Sequence, residues 1–510
     1  MRIKSHARNF LILFTVGTLL LVACAPSVTA LSSATRFPTP IPPTSIPIPT
    51  ATATAIPAGY RRYISKSGDT LAAIAARAGV EASEIMGENE LAQTGLIDPG
   101  TELILPDRLG ATISGENLMP DSEVVFSPSA SGFDVQGFVS QAGGNLAGYS
   151  ELVSAGTKPG GLILAEMALE NSINPRILLS VLEFESGWVY GTPTEFNQKR
   201  YPMGYVKDDQ GSLYKQAVWA IRQLSLGYYS WRAGTLMELT FKDGSKARLS
   251  PDLNAGTVAV MYLLSQIHTP SEWQQAMYGT TSLPKVHAEL FGDAWARAAQ
   301  VEPLLPAGTI QPELGLPFAP GKTWNYTCGP HSVWGKMGPD GALDFAPGES
   351  LCGGGDKHWV TAMADGQVLR TGNGVVIQEL DKDGDEHSGW VLLYMHVSSL
   401  ERVTPGTLLA AGERVGHPSC EGGSSSGTHV HVARRLNGEW LAAESGLPFV
   451  LSGFQAFNGE KFCYGSLEGN GVSVPAYPWG SWKTKIVWPQ DLALATPPFA
   501  TLAPAGTPAP

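Results

Sequence analysis

The chain has 510 residues, of which 43% are hydrophobic, and a formal net charge of −12. This length and composition can supply several cores, so we expect two to four domains. The negative charge argues against a nucleic-acid-binding protein, because phosphates require a basic face, and it is compatible with an extracellular protein.

The N-terminus has the order of an export signal, with basic residues ahead of an apolar run over 10–23 that is short for a membrane span. The letters LVAC, ending at Cys24, resemble a bacterial lipobox. The resemblance implies removal of residues 1–23 and a lipid anchor to the cell membrane at Cys24. An ordinary secretory signal is the alternative. A Pro/Thr-rich linker at 24–58 and a similar tail at 476–510 should not build a core.

The first folded unit is predicted at 59–107. Its start is strand-like, the letters GDTL lead into the helix LAAIAARAG, a second helix is expected near 82–89, and a turn at Pro99 precedes a closing strand. This β-α-α-β order, with GDTL early and IDPGTELILP late, resembles a LysM peptidoglycan-binding module. The resemblance implies a groove for glycan that contains N-acetylglucosamine. The groove residues would be Gly68, Asp69, Thr70 and Leu71, together with the loop before Pro99. Plain helix capping is the other interpretation of Gly68 and Asp69.

An all-α domain is predicted over 136–302, after a linker at 108–135. One helix covers 163–170, and Asn174 caps the next helix, which begins with PRILLSVLEFES. Two longer amphipathic stretches follow, SLYKQAVWAIRQLSLGYYSW and NAGTVAVMYLLSQI.

Glu185 falls on the apolar stripe of its helix, near the carboxyl end, where both burial and the helix dipole disfavour a carboxylate. A general acid would account for this cost, because burial raises the pKa of a carboxyl group toward neutrality. The string LLSVLEFESGW is similar to the Glu-Ser motif of lysozyme-like lytic transglycosylases, which implies glycan cleavage through Glu185. Their Gly-Leu-Met-Gln segment is missing, so a binding domain without chemistry is an equal alternative.

From 303 to 475, short apolar runs separated by glycine predict a mostly antiparallel β domain. His429 and His431 are two residues apart in one run, so both project from one face of the strand and the flanking valines pack on the other. Asp344 stands in the apolar string GALDFAP, and His396 ends the apolar string WVLLYMHV. Three histidines and one carboxylate within apolar strings of the same β domain predict one catalytic zinc site.

This order resembles that of the zinc endopeptidases of the lysostaphin and LytM type, most closely their β-lytic and staphylolysin branch. The string GPHSVWGKMGPDGALDF places His331 thirteen residues before Asp344, in the manner of that branch. The resemblance implies that His331, Asp344 and His431 bind Zn²⁺. In the lysostaphin pattern the first ligand is four residues before Asp344, which makes Asp340 the fallback.

The same resemblance implies that His396 and His429 act as general base and as stabiliser of the oxyanion, in an order that the sequence leaves open. The string SCEGGSSSGTHVH reproduces the branch's loop before the histidine pair. Thr428 stands directly before the histidine pair, where the family often has a proline.

After Cys24, four cysteines remain: Cys328, Cys352, Cys420 and Cys463. An even number in an exported chain predicts two disulfides, with three pairings open. We favour Cys328 with Cys352 and Cys420 with Cys463. A second zinc site is the alternative, although no pair has C-x-x-C spacing.

The sequence therefore predicts a multidomain α+β protein with a LysM unit, an all-α lysozyme-like domain and a mostly antiparallel β zinc-peptidase domain. The predicted function is hydrolysis of cross-bridge or stem peptides in peptidoglycan, at the cell wall outside the cytoplasm. A non-catalytic wall-binding scaffold or hydrolase activator is one alternative. A bifunctional enzyme that also cleaves glycan through Glu185 is another.

Overall fold

The computed structural model describes residues 56–87, 91–335, 337–348, 352 and 355–488. Cys24, the export signal and the tail beyond 488 lie outside the described residues. Within the described ranges, no helix combines the length and the apolar character needed to cross a bilayer.

The first unit is a three-stranded antiparallel sheet packed on one helix. Its elements are β1 (Tyr60–Ile64), α1 (Leu71–Ala78), β2 (Met86–Gly87) and β3 (Glu102–Pro106), with β3 in the centre of the sheet. The second predicted helix is a single 3₁₀ turn at Ala82–Glu84. It stops there because Met86 and Gly87 pair with β3, which takes up the backbone groups that a further helical turn would use.

The middle part is mostly helical. Its helices are α2 (Val135–Ala142), α3 (Asn145–Gly148), α4 (Gly160–Asn171), α5 (Pro175–Ser186), α6 (Phe196–Arg200), α7 (Leu213–Arg232), α8 (Ala255–Ser265), α9 (Pro270–Tyr278), α10 (Leu283–Phe291) and α11 (Ala294–Ala298). Asn174 caps α5 by accepting the N–H of Arg176, as predicted. The all-α prediction misses two hairpins, formed by β4 (Ser150–Val153) with β5 (Gly156–Pro159) and by β6 (Glu238–Thr240) with β7 (Lys246–Arg248).

The segment 119–130 belongs to the middle part, although we predicted a linker over 108–135. Met119, Val124, Val125 and Ala130 are buried in the same core as the helices. Two 3₁₀ turns, Asp121–Glu123 and Pro128–Ala130, fold this segment against α8 and α5.

The last part is built from antiparallel strands. They are β8 (Thr323–Trp334), β9 (Met337–Ala346), β10 (Val360–Thr361), β11 (Gly366–Gly372), β12 (Val375–Glu379), β13 (Trp390–Met395), β14 (Leu408–Leu409), β15 (Arg414–Gly416), β16 (Val430–Leu436), β17 (Glu439–Trp440), β18 (Val450–Leu451), β19 (Phe454–Phe457), β20 (Ser466–Gly469), β21 (Val472–Pro475) and β22 (Lys485–Val487). The main sheet runs in the order β14-β11-β12-β13-β16-β9-β8-β22, with β17 paired to β16. A smaller sheet contains β18 to β21 in sequence order.

Both faces of the main sheet are covered. On β13, Leu392 and Tyr394 point into the core of the β part, whereas Val391, Leu393 and Met395 join the core formed by the helices of the middle part. This alternation is the ordinary two-residue period of a strand. The helical part therefore packs directly on the sheet that carries the predicted histidines.

Two disulfides tie loops to this sheet, and the pairing that we favoured is wrong. The bonds join Cys328 to Cys463 and Cys352 to Cys420. The reason is local packing, since Gly465 donates a backbone hydrogen bond to Gly329 at 3.0 Å and so brings the Cys463 segment against β8.

Candidate active site

Asp344 occupies the middle of the predicted metal site because of strand register. It lies on β9, directly opposite Cys328 of β8 on one side and His431 of β16 on the other. Directly opposed residues of neighbouring strands point to the same face, so the three side chains share one face of the sheet.

An irregularity in β8 brings His331 to the same face. Cys328 and His331 are an odd number of residues apart, so they would face opposite ways in a regular strand, but the register of β8 shifts between them. Gly329 sits in this shift with a φ of +144°, and a side chain there would collide with Tyr326, Leu343 and Ala342. The predicted ligand thereby reaches Asp344, with His331 Nε2 lying 3.0 Å from Asp344 Oδ1.

His431 approaches the same carboxylate through Nδ1, whereas His331 approaches it through Nε2. Its Nδ1 lies 3.1 Å from Asp344 Oδ1, and its Nε2 lies 3.0 Å from the carbonyl oxygen of Val333. A carbonyl oxygen only accepts, so Nε2 carries the proton and neutral His431 directs the lone pair of Nδ1 at the carboxylate. Two acceptors at this distance require a cation or a proton near them.

The pKa values describe the same arrangement. Burial alone would raise the pKa of Asp344, but its electrostatic attraction to nearby His331 and His429 and its polar contacts with His331 and His431 hold that pKa well below its usual value. Burial lowers the pKa of His431. Burial also acts to lower the pKa of His331, but the charge of Asp344, the hydrogen bond to Asp344 and the charge of Asp340 together raise that pKa.

These donors fit a zinc ion. Tetrahedral zinc with bonds of about 2.0–2.1 Å to nitrogen and oxygen separates neighbouring ligand atoms by roughly 3.3 Å. The separations of 3.0 and 3.1 Å from Asp344 Oδ1 are close to that value. Cys328 is also near, but its sulfur is bonded to Cys463 and cannot serve as a thiolate ligand. Asp340, the fallback ligand, is exposed and lies beside Ser332 in the register of β8 and β9.

His429 and His396, the two histidines for which we expect proton-handling roles, lie next to this group. His429 Nε2 lies 3.6 Å from Asp344 Oδ2, and its Nδ1 donates to the carbonyl of Gly427 at 2.8 Å. His396 Nδ1 donates to the carbonyl of Glu421 at 3.0 Å. Because both Nδ1 atoms are used, the Nε2 atoms of both neutral rings carry lone pairs. The ring centroids of His396 and His429 are 4.4 Å apart.

His396 has two unusual properties. Its backbone has a φ of +64°, a left-handed conformation that few residues with a side chain adopt. Burial lowers its pKa to about 4, and electrostatic interaction with the neighbouring His429 and His431 acts in the same direction. Strained backbone concentrates at functional sites, and a neutral imidazole is the form that can accept a proton.

These residues lie in a cleft of about 1060 Å³. One wall comes from the β part, including Phe462, Trp479 and the loop 422–429, and another includes Glu166 and Glu170 of α4. Sequence reasoning expected the loop, but it missed the aromatic residues of the first wall and the whole contribution of α4. The aromatic-rich strings FCYG and YPWGSW were a signal for the first, whereas nothing in the sequence pattern linked α4 to this site.

The predicted LysM groove loop is used in contacts within the chain. Asp69 is buried and accepts hydrogen bonds from Tyr63 Oη at 2.6 Å and from Arg77 at 2.8 Å. Thr70 caps α1, Leu71 lies in the core of the unit, and a side chain at Gly68 would meet the guanidinium of Arg232 at 2.8 Å.

A second contact holds the same unit against the segment that enters the β part. Ser67 Oγ accepts the N–H of Leu305 at 2.9 Å, and Asp98 Oδ1 accepts the N–H of Gly308 at 3.0 Å. The loop before Pro99 is therefore also engaged by the chain.

Glu185 has a partner. Its Oε1 lies 3.0 Å from Nε2 of His268, and only 10% of its side chain is exposed. This pairing gives a structural reason for a carboxylate on an apolar stripe, and glycan cleavage through Glu185 stays a prediction.

Two protein-family models match the chain. The model described as the LysM domain matches residues 63–106, and the model described as the N-terminal domain of LasA matches residues 117–304. The second range contains the region that we predicted to be lysozyme-like.

Curated relatives are similar over part of the chain. Protease LasA from Pseudomonas aeruginosa is 25% identical over 292 residues, which cover 54% of this chain and 65% of LasA. Beta-lytic metalloendopeptidase from Achromobacter lyticus is 25% identical over 182 residues, which cover 31% of this chain and 46% of that protein. The chain thus spans less than two thirds of the length of either relative.

Among solved structures, the deep-sea M23 metalloprotease pseudoalterin is 26% identical, with 32% of this chain and 95% of that chain covered and a TM-score of 0.28. The catalytic domain of lysostaphin from Staphylococcus simulans is 22% identical, with 24% and 88% covered and a TM-score of 0.17. The chain is therefore similar to a LysM domain, to the N-terminal domain of LasA and, over part of its length, to a protease and a metalloendopeptidase.

Proposed function

We propose that the protein is a zinc-dependent endopeptidase that hydrolyses peptide bonds in peptidoglycan. The observation that carries this proposal is the convergence of His331 Nε2 and His431 Nδ1 on one oxygen of Asp344, in a cleft bordered by His396 and His429. The similarity to a protease and to a metalloendopeptidase supports the reaction class. The LysM match supports peptidoglycan as the partner.

His331, Asp344 and His431 would hold the metal. When bound, zinc supplies a Lewis acid that polarises a carbonyl oxygen and makes water nucleophilic at neutral pH. The hydrogen bond from His431 to the Val333 carbonyl fixes the ring orientation and keeps the lone pair of Nδ1 on the metal side.

His396 and His429 would handle protons. Each ring is fixed through Nδ1, and each presents Nε2 to the cleft beside Asp344. One Nε2 would take the proton of the attacking water, and the other, once protonated, would donate to the oxygen that becomes negative.

Attachment to the cell surface belongs to the same proposal. Export followed by lipidation at Cys24 would tether the chain to the membrane through the segment 24–58. The proposed domains are a LysM unit at 59–107, a helical domain at 136–302 that also includes the segment 119–130, and a peptidase domain at 303–475. The described part of the predicted tail, 476–488, also belongs to the peptidase domain, because β22 pairs with β8 and Ile486 and Trp488 are buried in the core of the β part.

The test is a digest of purified peptidoglycan with the chain lacking residues 1–24, with and without a chelator, followed by mass spectrometry of the fragments. New free amino termini that disappear with the chelator support a metal-dependent endopeptidase. New 1,6-anhydromuramic ends would identify glycan cleavage instead, and Glu185→Gln should then abolish them. Neither product from a preparation with stoichiometric zinc would leave the scaffold alternative.

A further inference from the structure

Five aromatic side chains between residues 462 and 482 are unusually exposed. The exposed fractions are 69% for Phe462, 47% for Tyr464, 40% for Tyr477, 80% for Trp479 and 77% for Trp482. Large aromatic residues normally bury most of their surface, and a continuous group of exposed ones marks an interaction site. We refer to these five residues as the aromatic ridge.

The chain fixes the ridge to the sheet. Cys463, between Phe462 and Tyr464, is bonded to Cys328 of β8. The backbone N–H of Tyr477 donates to the carbonyl of Tyr326 at 3.3 Å, and the rings of Tyr464 and Tyr477 are 6.0 Å apart. Beyond them, the hydroxyl of Thr484 donates to Asn325 Oδ1 at 3.0 Å. A surface held in this way binds without a large ordering cost.

The ridge is continuous with the cleft. The ring of Phe462 lies 5.8 Å from the ring of His331, and Phe462 and Trp479 both line the cleft. Ser481 lines it as well, and Trp482 follows in the next position. A polymer bound along the ridge would therefore pass directly beside the candidate metal site.

The chemistry of the ridge suits a sugar polymer. The flat C–H faces of pyranose rings pack on aromatic rings, while their hydroxyl and acetamido groups need polar partners at the edges. Asn325 and Ser481 supply polar groups in the cleft that Phe462 and Trp479 also line. The loop Gly68–Leu71, which was the predicted glycan groove, is instead engaged by Arg232 and the core of its own unit.

We propose that the aromatic ridge binds the glycan strand of peptidoglycan and thereby delivers the attached peptide into the cleft. This inference rests on the proposed function, since it names the part of the polymer that the same site recognises outside the scissile peptide.

The first test compares two substrates in the chain lacking residues 1–24. The double variant Tyr464→Ala/Trp482→Ala should lower the ratio of intact-peptidoglycan hydrolysis to short, glycan-free peptide hydrolysis by about tenfold, through loss of stacking. A variant with Tyr464→Ala and Trp482→Phe keeps an aromatic ring at position 482, so its ratio should lie between those of the double alanine variant and the unmodified chain. Trp295→Ala, which removes a tryptophan of the middle part that is 44% exposed, is the matched control and should leave the ratio unchanged. An equal ratio for the double variant and the control would overturn the proposal.

The second test needs no hydrolysis, so it separates this inference from the proposed function. Glycan strands freed of peptides by an amidase should co-sediment with the unmodified chain and with Trp295→Ala, and about tenfold less with the double variant. Circular dichroism should show that all variants are folded. Equal sedimentation of all variants would overturn the proposal, and so would a loss of binding to anionic phospholipid vesicles or to peptide alone without a loss of binding to glycan.

Discussion

His431 donates from Nε2 to the backbone carbonyl of Val333, 3.0 Å away on the strand that also carries His331. This bond links His431 to the strand of His331, so it connects two of the three candidate metal ligands. Its acceptor is a backbone oxygen, which a side-chain substitution does not remove. The bond leaves the lone pair of His431 Nδ1 facing Asp344 Oδ1 at 3.1 Å, an arrangement that a cation or a proton shared by the two atoms stabilises.

Replacing His431 with alanine should remove both zinc and peptidase activity. The remaining ligands, His331 and Asp344, are too few for a stable tetrahedral zinc site in a protein. Metal analysis of the purified variant should give well under one zinc per chain, and thermal unfolding should show that it is folded. Stoichiometric zinc in His431→Ala would contradict the ligand assignment.

Replacing His396 with alanine should keep zinc and lower the turnover number by about 10²–10⁴-fold, which is the usual contribution of a positioned acid or base. The reason is that its Nε2 faces the cleft and its Nδ1 is bound by the Glu421 carbonyl, outside the group around Asp344. The paired measurement is zinc content and peptide hydrolysis in one preparation. Loss of zinc in this variant would show that His396 is a ligand.

Glu386 should give the β part an acid-sensitive stability. Burial would raise its pKa, but hydrogen bonds and charges from Arg370 and Arg435 lower it to about 2 from an ordinary value of 4.5. A carboxyl group with a lowered pKa stabilises the fold above its unfolded pKa, and this stabilisation is lost as the pH falls through 4.5 toward 2. The shift corresponds to about 3 kcal/mol at 1.36 kcal/mol per pKa unit.

The measurement for Glu386 is the free energy of unfolding between pH 6 and pH 2.5 for the unmodified chain and for Glu386→Gln. We expect the difference between the two proteins to be largest near neutral pH and to shrink as the pH falls. A difference that stays constant with pH would show that Glu386 is not ionised in the folded protein.

Peptide mapping under non-reducing conditions should recover Cys328 bonded to Cys463 and Cys352 bonded to Cys420. The double variant Cys328→Ser/Cys463→Ser should lower the free energy of unfolding by about 2–5 kcal/mol, as is typical for loss of a native disulfide. Because Cys463 lies next to Phe462 and Cys328 lies three residues before His331, peptidase activity should fall as well. Recovery of Cys328 with Cys352 would contradict the structure.

Local patterns predicted the centre of the site. His429 and His431 share a face because a strand has a two-residue period, and Val430 and Val432 do pack into the opposite core. Their convergence with His331 on Asp344 follows from strand register, which the family resemblance supplied and periodicity alone did not.

The sequence pattern does not predict which distant elements pack against each other. An amphipathic helix shows which face it buries, but not the element that it packs on, so the contribution of α4 to the cleft wall had no local signal. The same limit applies to Glu185, whose partner His268 is 83 residues away, and to Gly68, which packs against Arg232. The disulfide pairing failed for the same reason, since cysteine spacing does not reveal which loops meet.

The central claim is that one zinc ion held by His331, Asp344 and His431 is required for peptide-bond hydrolysis. The most direct measurement is the titration of metal-free chain with zinc while the release of amino groups from peptidoglycan is recorded. We expect the hydrolysis rate to rise linearly with added zinc and to reach its plateau at one zinc per chain. Full activity in a preparation from which all metal has been removed would contradict it.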